Sequence, residues 1–223
     1  MIPWVQLDKT EVPGGGELRL MRRGAEFSIQ LGQNELMNSR LGGSEAALGR
    51  LACERISGRR NPQILIGGLG MGFTLRAALG AVGDEARIIV AELVSAVVAW
   101  ARGPMADVFG KSLTDPRVTI READVGQLIR SGSSAYDAIL LDVDNGPEGL
   151  SRTANDALYD ARGLRAAHTA LRHGGVFAVW SSGPNAKFSQ RLRNAGFALD
   201  EVRARANGSR GGARHIIWIA TRQ

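Results

Sequence analysis

One stretch, QILIGGLGMGFTLR over Gln63–Arg76, limits the fold more than any other. A short apolar run, Ile64-Leu65-Ile66, breaks into glycines that alternate with Leu69 and Met71: Gly68, Gly70 and Gly72. Good helix formers follow over Phe73–Leu79, so the segment reads as strand, tight turn, helix. Glycine at such a turn tolerates positive φ and lets a ligand approach the backbone closely. Glu92 stands 20 residues past Gly72, at the end of a second apolar run, RIIVAE. A carboxylate there can accept hydrogen bonds from both hydroxyls of a ribose. Together these residues predict an adenosine-type ligand at the carboxyl edge of a parallel sheet.

The rest of the chain supports that architecture. Predicted strands at Gln63–Gly67, Arg87–Glu92, Val118–Arg121, Tyr136–Asp142 and Val176–Trp180 alternate with predicted helices. The helices are expected over Phe73–Leu79, Ser95–Trp100, Val125–Arg130, Asn155–Leu171 and Lys187–Asn194. The runs AILL and VFAV are continuously apolar, which implies burial on both faces and hence a parallel sheet between helices. Phe197–Arg205 and His215–Thr221 have no helix between them and read as a terminal antiparallel hairpin. Before Asn61-Pro62 the character differs. Glu17–Met21 and Glu26–Leu31 alternate apolar and polar as a β-hairpin, and Ser44–Ile56 reads as a helix with Ser44 as its N-cap. The expected division is residues 1–60 as a hairpin-and-helix appendage and 61–223 as the nucleoside-binding α/β domain.

Composition narrows the function. At 223 residues and 44% hydrophobic content the chain can bury a full core. No apolar run approaches the roughly 20 residues of a membrane span, and no signal-peptide pattern opens the chain. No membrane association is expected, and the cytoplasm is the default location. The single cysteine, Cys53, excludes an internal disulfide, and three dispersed histidines give no metal site. Net charge is +6, yet only three of the 28 basic residues are lysine. The arginines are spread along the chain with few aromatics between them, so we read them as composition rather than as a nucleic-acid surface. Arg203, Arg205, Arg210 and Arg214 around the terminal hairpin are the cluster that would contact nucleic-acid phosphates if that surface exists.

From about Ile64 to Phe197 the chain resembles the spermidine synthase-like branch of the class I AdoMet-dependent transferases. Five blocks carry the resemblance in order: IGGLGMGFTLR, VAELVSAVVAW, DPRVTIREADVGQLI, YDAILLDVDNGPEGL and LRHGGVFAVWSS. It implies a Rossmann-like class I methyltransferase sheet, mostly parallel, with a C-terminal antiparallel hairpin and a short N-terminal β-hairpin appendage. It implies AdoMet or decarboxylated AdoMet as co-substrate, with no metal. Gly68, Gly70 and Gly72 would line the nucleoside-sulfonium pocket, and Glu92 would hold the ribose. Asp124, with the Val125 amide nearby, would receive the adenine amino group. Asp142 matches the first aspartate of the family's D-S-x-D-P loop, which faces the attacking amine.

The departures are specific. The aspartate of the family's G-G-G-D-G falls at Met71. The second acid of D-S-x-D-P has no clean counterpart, Asp144 and Asn145 standing in a differently spaced loop. The tyrosine-histidine-glutamate of the gatekeeping helix reads Gly43-Ser44-Glu45, and Trp180 replaces a glutamine. A dicationic polyamine needs several carboxylates to offset its desolvation. The nucleoside half of the site is kept and much of the diamine half is lost.

The expected function is therefore a transferase moving an alkyl group, aminopropyl or methyl, from a sulfonium donor to a small-molecule acceptor. True putrescine aminopropyl transfer is expected to be weak or absent. Asp142 and Asp144 are the candidate catalytic residues, to orient or deprotonate the acceptor. The alternatives are an AdoMet-dependent methyltransferase acting on a small molecule or RNA, and a non-catalytic nucleoside-binding relative. A homodimer is compatible with the sequence. Ordinary structural roles compete at each position: Asp124 as a helix cap, Asp142 and Asp144 as turn residues, Trp100 and Trp180 as core or pocket wall, and His168 and His173 as structural, while His215 begins the last strand with no acid close in sequence.

Overall fold

The computed structural model describes residues 2–13, 15–143, 147, 157–208 and 211–223. Asp144 and Asn145 lie outside the described residues. The chain opens with an antiparallel sheet of four strands, β1 (Val5–Glu11), β2 (Glu17–Arg23), β3 (Glu26–Leu31) and β4 (Asn34–Asn38), in sequential order. The expected hairpin is its central pair, with Leu18 opposite Leu31 and Leu20 opposite Ile29. The flanking strands escaped the sequence pattern for a physical reason. Val5–Glu11 is exposed over almost its whole length and shows no apolar face. One side of the sheet is wet, and the other presents Leu18, Leu20, Phe27 and Ile29 to the core. The indole Nε1–H of Trp100 donates to Asp8 Oδ2 at 2.7 Å and ties the outer strand to the main body.

Helix α1 (Gly43–Arg55) follows. Its N-cap is Gly42, and no side chain caps it, so Ser44 is not the cap that its position suggested. The helix start is packed too tightly for one. A Cβ on Gly42 would enter the Phe73 ring, and one on Gly43 would collide with the turn at Asn207 and Gly208. The Gly43 amide instead donates to the Ala206 carbonyl at 2.8 Å. Ser44 is left fully buried, one residue inside the helix.

The main sheet contains β5 (Gln63–Gly67), β6 (Arg87–Glu92), β7 (Val118–Glu122), β8 (Tyr136–Leu141), β9 (Leu171–Ser181), β10 (Phe197–Arg205) and β11 (Arg214–Arg222). Its order is β10-β11-β9-β8-β5-β6-β7, with β11 antiparallel to both neighbours and every other pairing parallel. The helices are α2 (Phe73–Ala81), α3 (Ser95–Arg102), α4 (Ala106–Phe109), α5 (Val125–Ser131), α6 (Ala161–Ala170) and α7 (Ala186–Asn194). The sheet divides the core into two layers. Ile64, Ile66, Ala138 and Leu140 pack with α1, α2, α3 and the N-terminal sheet, while Leu65, Ile139 and Leu141 pack with α5, α6 and α7. Alternate residues of one strand thus enter different layers, which is why these strands read as unbroken apolar runs.

Two expectations shift. The helix predicted over Asn155–Leu171 is broken: residues 157–159 are helical, Asp160 interrupts them, and a new helix runs over Ala161–Ala170. Asp160 caps it there, accepting from the Arg162 and Gly163 amides at 2.7 Å each, and Leu171 already belongs to β9. His173 and Gly174 lie inside that long strand rather than in a turn before it, and the register of β8 against β9 shifts there. Asp137 anchors the same end of the sheet. It is almost fully buried, yet Arg59, Arg172 and the Gln63 amide each bond to it at 2.7 Å. Such a carboxylate is satisfied by its own fold.

Candidate active site

The sheet order reverses between β5 and β8, both of which flank the glycine turn. At that point the Gly67 carbonyl accepts from the Asp142 amide at 3.0 Å, and the Gly68 amide donates across to the Ala91 carbonyl at 2.9 Å. The chain leaves the sheet there through Gly68, Gly70 and Gly72, whose φ values are +90°, +49° and +72°. A Cβ on Gly68 would stand 2.5 Å from the Asp142 carbonyl oxygen. Only glycine permits the turn and the next strand end to lie this close. Ligands of open α/β sheets bind in the crevice formed at such a reversal.

Two adjoining cavities occupy the crevice. The first, of about 150 Å³, is walled on the sheet side by Gly68, Gly70, Glu92, Asp124, Val125 and Asp142. Six of the eight predicted site residues are thereby brought together. Gly72 stands apart, as the left-handed N-cap of α2 packed against Phe109, and Asp144 is outside the described residues. The opposite wall is apolar and comes from the N-terminal sheet, through Leu18, Ile29, Leu31, Leu36 and Met37. Sequence reasoning expected the N-terminal appendage to help shape the acceptor space but named none of these residues. Its signal was present only as inward alternation on β2 and β3, which says that a face is covered without saying what it covers.

Glu92 is 9% exposed. Its Oε2 accepts from the Leu69 amide and its Oε1 from the Val94 amide, each at 2.9 Å. Burial pushes its carboxyl above the usual range, and these backbone donors work against that rise. The carboxylate is held at the cavity wall by these amides, with the Leu93 and Gly70 amides adding to them. Asp124 does two jobs at once. Its Oδ1 caps α5 by accepting from the Gly126 amide at 2.8 Å, while the residue also lines the cavity.

The second cavity, of about 90 Å³, shares Leu36, Met37, Gly70 and Asp142 with the first and adds Asn38, Glu45, Met71, Phe73 and Trp180. Asp142 therefore stands on the common wall. Its Oδ2 accepts from Thr74 Oγ1 at 2.7 Å. Burial first, and the Glu45 carboxylate second, push its carboxyl up to about 7, with the Thr74 hydroxyl opposing them. Thr74 Oγ1 also lies 3.2 Å from the Glu45 carbonyl. The hydroxyl can thus turn to that carbonyl whenever Asp142 carries a proton. Asp137 and Asp142, at opposite ends of β8, make the contrast plain: the first is neutralised by two arginines, and the second faces another acid beside a cavity.

Glu45 is itself held. Ser44 Oγ donates to Glu45 Oε2 at 2.5 Å and lies 2.8 Å from His215 Nδ1. Since the Ser44 proton goes to the carboxylate, His215 Nδ1 is the donor to Ser44. Burial holds the His215 imidazole below its usual range, against the pull of Glu45, and its ring meets Trp180 edge-on at 4.8 Å. The serine binds the acid and the histidine binds the serine, so this is not the order of a nucleophile with its base. Sequence reasoning gave His215 no role, because no acid lies near it in sequence. Its partner is 171 residues away.

No protein-family model matches the sequence, and no curated protein matches it. Among solved structures, spermidine synthase from Thermotoga maritima superposes with a TM-score of 0.78 at 18% identity, over 98% of this chain and 73% of that one. Spermidine synthase in complex with the transition-state analogue AdoDATO gives 0.75 at 18% identity, over 98% and 72%. TrmN from Thermus thermophilus gives 0.56 at 23% identity, over 80% and 48%. With the sheet order and the terminal hairpin, these likenesses show that the chain has the spermidine synthase-like form of the class I methyltransferase fold.

Proposed function

We propose that the protein is a transferase that moves an alkyl group from an adenosyl sulfonium to a small acceptor held against Asp142. The observation that carries this reading is the pair of cavities meeting at Asp142: a nucleoside-sized wall with Glu92 and Asp124 on one side, and a small acceptor space on the other. A sulfonium carbon is already electrophilic, so alignment of donor and acceptor supplies much of the catalysis. Asp142 takes the proton that the nucleophile must lose, and a carboxyl raised to about 7 suits that task near neutrality.

Charge supports the aminopropyl donor. Every charged side chain lining the two cavities, among the described residues, is a carboxylate: Glu45, Glu92, Asp124 and Asp142. The carboxylate of AdoMet finds no cationic side chain there, whereas the ammonium of decarboxylated AdoMet suits the field. One observation favours methyl transfer instead. Met71, where the resemblance places an acid, is a buried apolar wall. Calorimetry with AdoMet, decarboxylated AdoMet and methylthioadenosine decides between them. We expect decarboxylated AdoMet to bind at least tenfold more tightly than AdoMet. The reverse order would make methyl transfer the reaction, and binding of none of the three would end the transferase reading.

A further inference from the structure

Two acids, Glu45 and Asp142, line the acceptor cavity. Asp142 Oδ2 and the Glu45 carbonyl bracket the same Thr74 hydroxyl, and the Glu45 carboxylate is near enough to act on Asp142. The remaining wall is Leu36, Met37, Met71, Phe73 and Trp180. Asn38, the other polar residue there, is already committed. Its amide donates to Glu35, and its carbonyl accepts from the Arg40 and Leu41 amides. Trp180 is 8% exposed, its indole N–H has no partner among the described residues, and the residue lines the cavity. The space is about 90 Å³. A diamine brings a positive charge at each end, and among the described residues of this cavity its second ammonium would be desolvated with no further anion to meet it.

Building on the sulfonium-transferase reading, we propose that the acceptor is a primary monoamine with a short apolar body. Its ammonium lies between Asp142 and Glu45, and its body lies against Met71, Phe73 and Trp180. The His215–Ser44 pair is the positioning element that holds Glu45 to the task. The ammonium gives one proton to the Asp142 carboxylate. The freed nitrogen lone pair forms the new N–C bond as the C–S bond breaks, and the electron pair of that bond goes to sulfur. A secondary ammonium and a neutral thioether result, with the proton on Asp142. Charge is conserved, and no other reactant is needed.

The test uses the whole protein saturated with methylthioadenosine, titrated by calorimetry with n-butylamine, putrescine and n-butanol. Turnover of each amine is then followed with AdoMet and with decarboxylated AdoMet. We expect n-butylamine to bind, butanol to bind at least tenfold more weakly, and kcat/KM for butylamine to exceed that for putrescine at least tenfold. Ser44→Ala and His215→Ala should each raise the butylamine KM at least fivefold at unchanged methylthioadenosine affinity. His215→Asn, which keeps a donor near Ser44, should recover part of the loss. Putrescine preferred to or matching butylamine, or butanol binding as well as butylamine, would overturn the proposal while leaving the transferase reading standing. An unchanged KM in both variants would remove the positioning role. Absence of methylthioadenosine binding would strike the transferase reading itself, and this inference with it.

Discussion

The proposed donor half and the proposed acceptor half of the site are built differently. The donor half comes from consecutive strand ends of the parallel sheet: the glycine turn after β5, Glu92 closing β6 and Asp124 after β7. Backbone amides hold its key acid in place. The acceptor half is assembled from distant parts of the chain. Glu45 and Ser44 come from α1, Thr74 from α2, Asp142 from the end of β8, Trp180 from β9 and His215 from β11. Side chains hold its two acids, Glu45 and Asp142, which repel each other. A strand-end scaffold fixes a nucleoside with few residues, whereas contacts among separate elements can change individually and so can retune the acceptor.

The largest effect should come where the two halves meet. Asp142→Asn keeps the shape of the common wall and removes the proton acceptor. Turnover should fall by roughly 10²–10⁴-fold, the usual weight of a general base, while donor affinity stays within about twofold. Steady-state rates beside donor titrations check this. Near-normal turnover would move the base to Glu45 or Asp144 and erase the distinction between a donor-holding and an acceptor-activating half.

Within the donor half the effect should be one of affinity. Glu92→Ala should cost about 1.5–3 kcal/mol of methylthioadenosine binding, the range for hydrogen bonds to a charged group. It also strands the Leu69 and Val94 amides that bond to the carboxylate. Glu92→Gln therefore serves as the matched control for loosening of the loop. If both variants bind as the parent does, the ribose assignment is wrong and the acid only staples the turn.

The halves should also differ in what they cost the fold. Asp142 titrates near 7 in the folded protein, against an ordinary value of 3.8. Between about pH 4 and pH 7 the folded state keeps a proton that the unfolded chain has released. Stability should fall as pH rises through that window and level off above it. Asp142→Asn should flatten the dependence and raise Tm at pH 8, by about 2–4 °C for each kcal/mol recovered. Thermal melts from pH 4 to pH 8 check the slope, and a variant with the parent's profile would contradict the raised carboxyl. Asp115 runs the other way at lower pH. Arg117 holds its carboxyl down to about 2, so that contribution disappears only as pH drops toward that value.

The same contrast decides what the sequence could tell. Glycine spacing, apolar runs and Glu92 are local patterns, and they located β5, β6 and the donor wall because one strand–turn–helix unit contains its own signals. The parallel character of the sheet and its terminal antiparallel hairpin were legible from the same rhythm. The Ser44–His215 bond was not, since it depends on α1 docking against the far end of the sheet, and no local pattern encodes that. Ser44 looked like a cap because serine before a helix usually is one. Tertiary packing of Gly42 and Gly43 moved the helix start and left the hydroxyl free for Glu45. The outer strands of the N-terminal sheet were invisible for a simpler reason: Val5–Glu11 buries no face that would produce a pattern.

Asp124 offers the smallest effect and the sharpest test of how tightly the donor half is engineered around one ligand. Its Oδ1 is already used by the Gly126 amide, and its Oδ2 faces Arg130 at 3.4 Å across a largely exposed pair. An exposed ion pair of that length adds little stability. Asparagine caps a helix about as well as aspartate does, so Asp124→Asn should shift Tm by no more than about a degree. With the cap retained through its carbonyl oxygen, the asparagine amino group would stand where a carboxylate oxygen is expected to receive the adenine amine. Two donors would then face each other. Methylthioadenosine affinity should fall about three- to tenfold, whereas an analogue with a carbonyl in place of that amine should lose less or gain. Equal losses for both nucleosides, or none, would leave Asp124 as a cap alone and shift adenine recognition to the Val125 amide and the apolar wall.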